Sequence, residues 1–225
     1  MTLILLILHI SAGCIALLSG PIAMAVGKGS RLHRRAGVLF FWSMTLVFAT
    51  ALILSLVSFQ PFLLMIAVLS YYAVVSGYRA LYHKKLHKTR SVIKFVDWLA
   101  LALNGLTNLF FMIWGISLLD ESQGIGILAI VFGSLGLSMS VSNIVSFISQ
   151  PTDKMYWLYA HINGFVVGYI ACATAFSVTV VDFIPGIWGW LWPTIIGSPL
   201  IAYWITRYKI KFKKGAKPSE VLILR

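Results

Sequence analysis

The chain has 225 residues, of which 60% are apolar and 11% charged, with a mean hydropathy of +0.91. A soluble domain carries about 25% charge and about 45–50% apolar residues, so a soluble enzyme and a nucleic-acid-binding module with its own core are excluded. Lys and Arg number 18 against 6 Asp and Glu, a net +12, and in a membrane protein the first question is which loops hold the cations.

Seven apolar segments follow one another along the chain, at 3–26, 36–58, 62–82, 95–119, 124–147, 158–181 and 187–206. Each reaches the roughly 20 residues needed to cross a bilayer core, and backbone groups in lipid must be satisfied within the segment, which predicts helices. The chain is therefore read as all-α and polytopic. It is a seven-transmembrane-helix bundle over 1–207 with a basic tail at 208–225.

The first segment has no basic residue ahead of its apolar run, so it is read as a retained helix and not as a signal peptide. Between the second and third segments Gln60-Pro61 predicts a tight turn, since the residue before Pro resists helix. Every Lys and Arg falls at one end of this alternation: Lys28 to Arg35 after segment one, Arg79 to Lys94 at or between the inner ends of segments three and four, Lys154 after segment five, and Arg207 to Arg225 after segment seven. The opposite loops carry Asp120, Glu121 and Asp182. By the positive-inside rule the N-terminus lies outside and the basic tail in the cytoplasm, against anionic lipid headgroups. The net charge is thus a topology marker, and nucleic acid is not expected as a partner.

Polar side chains inside the spans are the default functional candidates. In segment four Asp97, Asn104 and Asn108 share a helical face, with Leu101 between them. Asp97 stands near the segment's start, where the helix N-terminus and Lys94 or Arg79 would stabilise it. The competing reading for the Asn pair is hydrogen bonding to hydroxyls on a neighbouring helix. Segment five offers such a row in Ser134, Ser138 and Ser142. Segment six places His161, Gly164, Gly168 and Cys172 on one face, its GxxxG pair reading as a close helix contact.

The histidines divide by position. His9 lies alone toward the outer edge, while His83 and His87 stand among Lys and Arg and read as solvated loop residues. His33 and His161 lie near the starts of segments two and six, where two neutral imidazoles could ligate haem iron or a metal. Cys14 and Cys172 sit in apolar stretches, which argues against a disulfide or CxxC site. HExxH, GxxxxGK[ST] and GxGxxG are all missing from the chain. Ser19-Gly20-Pro21 and Gly197-Ser198-Pro199 form a faint echo of the kind that Pro-broken transporter helices show.

His9, Gly13, Gly20-Pro21, Leu32-His33-Arg34-Arg35 and Gly37 make up one group of short motifs. Ser76-Gly77-Tyr78-Arg79-Ala80-Leu81 makes up a second, and His161, Tyr169, Thr174-Ala175-Phe176, Trp192-Pro193-Thr194 and Gly197 a third. In these the chain resembles a bacterial family of integral membrane proteins classed as a domain of unknown function. That resemblance implies the fold and a bacterial inner membrane, and no activity. A looser similarity to diheme cytochrome b561-like proteins lies in the spacing of His9, Gly13, the basic loop and His33.

The leading expectation is an inner-membrane protein without catalytic chemistry in the narrow sense and without a required cofactor. Its internal polar pocket, formed by His9, Asp97, Asn104, Asn108, Ser138 and His161, would serve packing specificity, a small ligand or a proton. The alternative is a haem-binding electron-transfer protein with His33 and His161 as ligands, and a second alternative is a small secondary transporter. A homo-oligomer is left open.

Overall fold

Long runs of Leu, Ile, Val, Ala and Phe broken by short polar stretches leave the backbone only one economical form, and the computed structural model, which describes residues 2–223, is helical with no strand among them. Its elements are α1 (Thr2–Ala25), α2 (Arg31–Val57), α3 (Pro61–Ala80), α4 (Phe95–Ser117), α5 (Gln123–Ser149), α6 (Tyr156–Val180), α7 (Trp188–Lys213) and the single turn α8 (Pro218–Val221). A 3-10 turn, Arg90–Val92, lies between α3 and α4. Six of these, α1 to α6, are long and apolar enough to cross a membrane. Arg225, counted above among the basic tail's cations, lies outside the described residues.

Two boundaries differ from the sequence reading for local reasons. α2 starts at Arg31, five residues before the apolar run, because the Ser30 side chain accepts the His33 N–H and caps the helix. The arginine-rich stretch is therefore the first turn of α2, and His33 sits on a helix. α7 runs on to Lys213, past the expected end at 206, and its last turn carries Lys211 and Lys213, where cations favour a helix C-terminus. The tail turns at Gly215 and returns through α8. The Gln60-Pro61 turn forms as expected, with Phe59 at φ 46° and Pro61 opening α3.

Successive helices pack as hairpins, α1 on α2 and α4 on α5, while α3 and α6 cross at the centre and α7 lies against α6. The α3–α6 crossing is set by glycines: a Cβ on Gly164 would lie 2.6 Å from the Ala73 carbonyl oxygen and from the Gly77 backbone. Side chains such as Leu3, Ile4, Ile7, Leu18, Leu106 and Phe110 face outward. An outer surface this apolar suits lipid and not water. The loops α1–α2, α3–α4 and α5–α6 meet at one end, hereafter the basic end, where Arg90 donates to the Ile148 carbonyl and Gln150 donates to Leu86 O at 3.2 Å.

Candidate functional site

Two histidines from distant segments meet at the basic end. His33 on the first turns of α2 and His161 on α6 have ring centroids 6.3 Å apart, at an interplanar angle of 72°. The His33 Nδ1 lies 2.9 Å from the Ala23 carbonyl oxygen and the His161 Nδ1 lies 3.0 Å from the Gly77 carbonyl oxygen. A carbonyl only accepts, so each Nδ1 carries the proton and each Nε2 keeps a free lone pair. No hydrogen bond reaches either Nε2 among the described residues. The α3–α6 glycine crossing brings Gly77 O within reach of His161, and the Phe165 ring packs against that ring at a tilt of 49°, with centroids 4.8 Å apart. Lys28, between α1 and α2, donates to Ala23 O at 3.2 Å and to Met24 O. It thereby shares the His33 acceptor, and its half-buried ammonium has a pKa pushed below the usual lysine range by burial.

Asp97, in the first turn of α4, is buried and fully occupied. Arg79 from α3 approaches it in a two-pronged pair, Nε to one oxygen at 2.7 Å and Nη2 to the other at 2.8 Å. The same carboxylate accepts the Lys94 N–H at 2.7 Å, and His83 Nε2 lies at 3.3 Å. His83 is therefore no solvated loop residue: it is 6% exposed, with its ring edge on Phe147. The sequence reading missed it because a run of Lys and Arg conceals a polar side chain that turns inward, as Leu86 does three residues on. Beside this cluster a cavity of about 20 Å³, room for about one water, is lined among others by Tyr72, Ser76, Asn143 and Tyr156. Asn143 Nδ2 donates to the Tyr72 hydroxyl at 2.6 Å, and the Tyr156 hydroxyl donates to Ser146 at 2.6 Å.

Asn104 and Asn108 are fully buried between α4 and α5. Asn104 Nδ2 donates to Gly136 O and Ser140 Oγ, both at 2.9 Å. Asn108 Nδ2 donates to Asn104 O at 2.8 Å and to Asn104 Oδ1 at 2.9 Å. The hydroxyl that meets the pair is Ser140, and Ser138, the residue expected there, is exposed and donates to its own helix at Leu135 O. The α5 surface against α4 is the small-residue row Gly126, Ala129, Gly133, Gly136 and Ser140, and its 3-4-3-4 spacing was the available signal.

His9 Nδ1 donates to Thr50 Oγ1 at 3.0 Å between α1 and α2, since the Thr50 hydroxyl already donates to Leu46 O at 2.7 Å. Of the six candidate pocket residues only Asp97 lines the cavity. The others occupy separate contacts: α1–α2 for His9, α4–α5 for the Asn pair, α3–α6 for His161, and the outer surface for Ser138. Gly20 and Gly197, which echo each other in sequence, both receive side chains of α6: a Cβ would lie 2.4 Å from the Tyr169 ring and 2.3 Å from Ile170 Cδ1. Close packing accounts for both.

An all-helical chain with six apolar helices of membrane-crossing length and a lipid-suited surface has the character of a multi-pass membrane protein. Comparison with protein-family models, with curated proteins and with solved structures gave no match.

Proposed function

We propose that this is a seven-helix protein of a bacterial inner membrane, with the basic end in the cytoplasm, whose ligand site is the His33–His161 pair. The seventh span is α7, whose 26 residues cover about 39 Å at 1.5 Å per residue. The orientation rests on the cations at the basic end, and the bacterial membrane on the family resemblance in the sequence.

The observation that carries the site is two Nε2 lone pairs left free, each on a ring whose Nδ1–H is held by a backbone carbonyl. A metal-ligating histidine is oriented in this way, with its second nitrogen donating to a carbonyl or carboxylate. An ion about 2.0–2.1 Å from each nitrogen puts two opposed imidazole centroids roughly 6 Å apart, and the separation here is 6.3 Å. The donor set fits an imidazole-binding transition metal, haem iron included. Haem held there would supply one-electron transfer. The chain's own part is to fix both rings through Ala23 O and Gly77 O and to pack Phe165, itself backed by Phe40, against the His161 ring.

The test is an absorption spectrum and a metal analysis of protein purified after expression with haem and metal supplied. A Soret band or a stoichiometric metal that is lost in both His33→Ala and His161→Ala supports the site; wild-type protein with neither overturns it.

A second reading rests on the cavity beside Asp97, where Arg79, His83, Tyr72 and Tyr156 surround room for about one water. It is a site for a small polar ligand or a proton relay. Proton flux in proteoliposomes that is lost in both Asp97→Asn and Tyr72→Phe supports that reading, and unchanged flux removes it.

A further inference from the structure

The segment after α7 is predominantly polar and cationic up to Lys217, then changes character at Val221-Leu222-Ile223. Gly215, at φ +88°, turns the chain back, and α8 delivers these apolar residues to the basic end of the bundle. Leu222 is 4% exposed and packs in a cluster with Met155, Leu158, Ile162 and Ile201, against which Met24 also lies. The Ile223 N–H donates to the Lys28 carbonyl at 2.8 Å. The receiving loop is shaped for this contact. Gly29 has φ +82°, and a Cβ there would stand 2.3 Å from the Ile223 carbonyl oxygen, while a Cβ on Gly27 would touch Ile223 Cδ1 at 3.4 Å.

The contact continues toward the histidine pair. Lys28, whose carbonyl holds Ile223, sends its ammonium to Ala23 O, the acceptor that also fixes the His33 ring. Leu158 and Ile162, which belong to the same apolar cluster as Leu222, lie on either side of His161 in the α6 sequence. The same short segment thus bears on both sides of the pair, through the α1–α2 loop and through α6.

We propose that residues 218–223 are a strap that docks on the α1–α2 loop, closes the basic end over His33 and His161, and exposes the pair when it undocks. What the pair binds rests on the function proposed above; docking and shielding do not. The release is an undocking of one apolar anchor and one main-chain hydrogen bond, so it needs no rearrangement of α1 to α7.

The test uses the full chain in a Cys14→Ser background, expressed without added haem and treated with chelator. Leu222→Cys is expected to react with a maleimide roughly tenfold more slowly than Lys214→Cys, because labelling requires local opening of the strap. Adding Gly29→Val should bring the two rates together. In the second measurement, Leu222→Lys, which leaves the receiving loop intact, should speed carbethoxylation of His33 and His161 by roughly fivefold, as an opened segment loses its protection. Equal labelling at 222 and 214 in the wild-type loop overturns the docking. Histidine modification that is unchanged in Leu222→Lys overturns the shielding. A pair that binds neither haem nor metal while both readouts behave as expected sinks the function proposed above and leaves the strap in place.

Discussion

Asp97 is kept in the interior by four donors: two from Arg79, one from His83 and the Lys94 N–H. Removing one member of a buried pair leaves a charge without compensation, which costs about 3–5 kcal/mol. Arg79→Leu is therefore expected to lower the thermal stability of the detergent-solubilised protein by about 3 kcal/mol. Arg79→Lys should recover only part of it, since an ammonium cannot reproduce the two-pronged contact. Asn104 makes a different kind of contribution. Its bonds to Gly136 O and Ser140 on α5 are of the interhelical sort worth about 0.6 to 1.7 kcal/mol each in a membrane, while Asn108 donates to its Oδ1 within α4. Asn104→Leu is expected to lower the melting temperature by the equivalent of about 1–2 kcal/mol and to leave any Soret band or metal content unchanged. A loss of bound ligand in that variant would return the Asn pair to a binding role.

Helix pairs in this molecule are set by where small residues fall. On α4 the buried positions Leu101, Asn104, Asn108, Phe111 and Gly115 run at 3-4 spacing, and the facing row on α5 is Gly126, Ala129, Gly133, Gly136 and Ser140. A Cβ on Gly136 would lie 2.3 Å from Asn108 Oδ1. Gly136→Ala is expected to destabilise by about 1–3 kcal/mol through overpacking. Adding Asn108→Ala should recover part of the loss, and a thermal-melting double-mutant cycle measures the coupling. At the α3–α6 crossing Gly77 and Gly164 act together, and Gly164→Leu is expected to force the helices apart and to lengthen the contact between His161 and Gly77 O. The readout is a reduced Soret or metal content in protein that still elutes as a single species. Periodicity alone directed attention to Ser134, Ser138 and Ser142 on α5, because a hydroxyl row is easy to see in a sequence. The glycines one face away decide the contact, since only they allow the backbones to approach.

Across the whole molecule, charge and shape divide the two ends. The basic end carries the cationic loops, the His33–His161 pair, the Asp97 cluster and the returning strap, while the opposite end closes with Gly115 on Gly126 and Phe62 on Trp190. If the basic end faces the cytoplasm, Lys88→Cys and Asp120→Cys should label from opposite sides of sealed vesicles with a membrane-impermeant reagent, Asp120→Cys from outside. Labelling of both from the same side would remove the proposed topology.

Read without its structure, this chain already determines that it is helical, where each apolar segment lies, apart from the early start of α2 and the late end of α7, and that its cations gather at one end. Those properties follow from local composition and from the cost of an unsatisfied backbone group in lipid. The sequence already pairs Asp97 with Arg79 or Lys94 and His33 with His161, and tertiary structure decided which other groups meet. His83 turns inward to a carboxylate on the next helix, Ser140 and not Ser138 reaches Asn104, and Leu222 returns to bury itself beneath α6. Each of these depends on a helix rotation or a chain reversal fixed by packing between segments far apart in sequence; the 3-4-3-4 small-residue row of α5 marks the contact face, and packing decides which hydroxyl reaches Asn104. The +12 charge that opened the question thus marks one end of the bundle, and the chemistry at that end belongs to a few side chains that packing brings together.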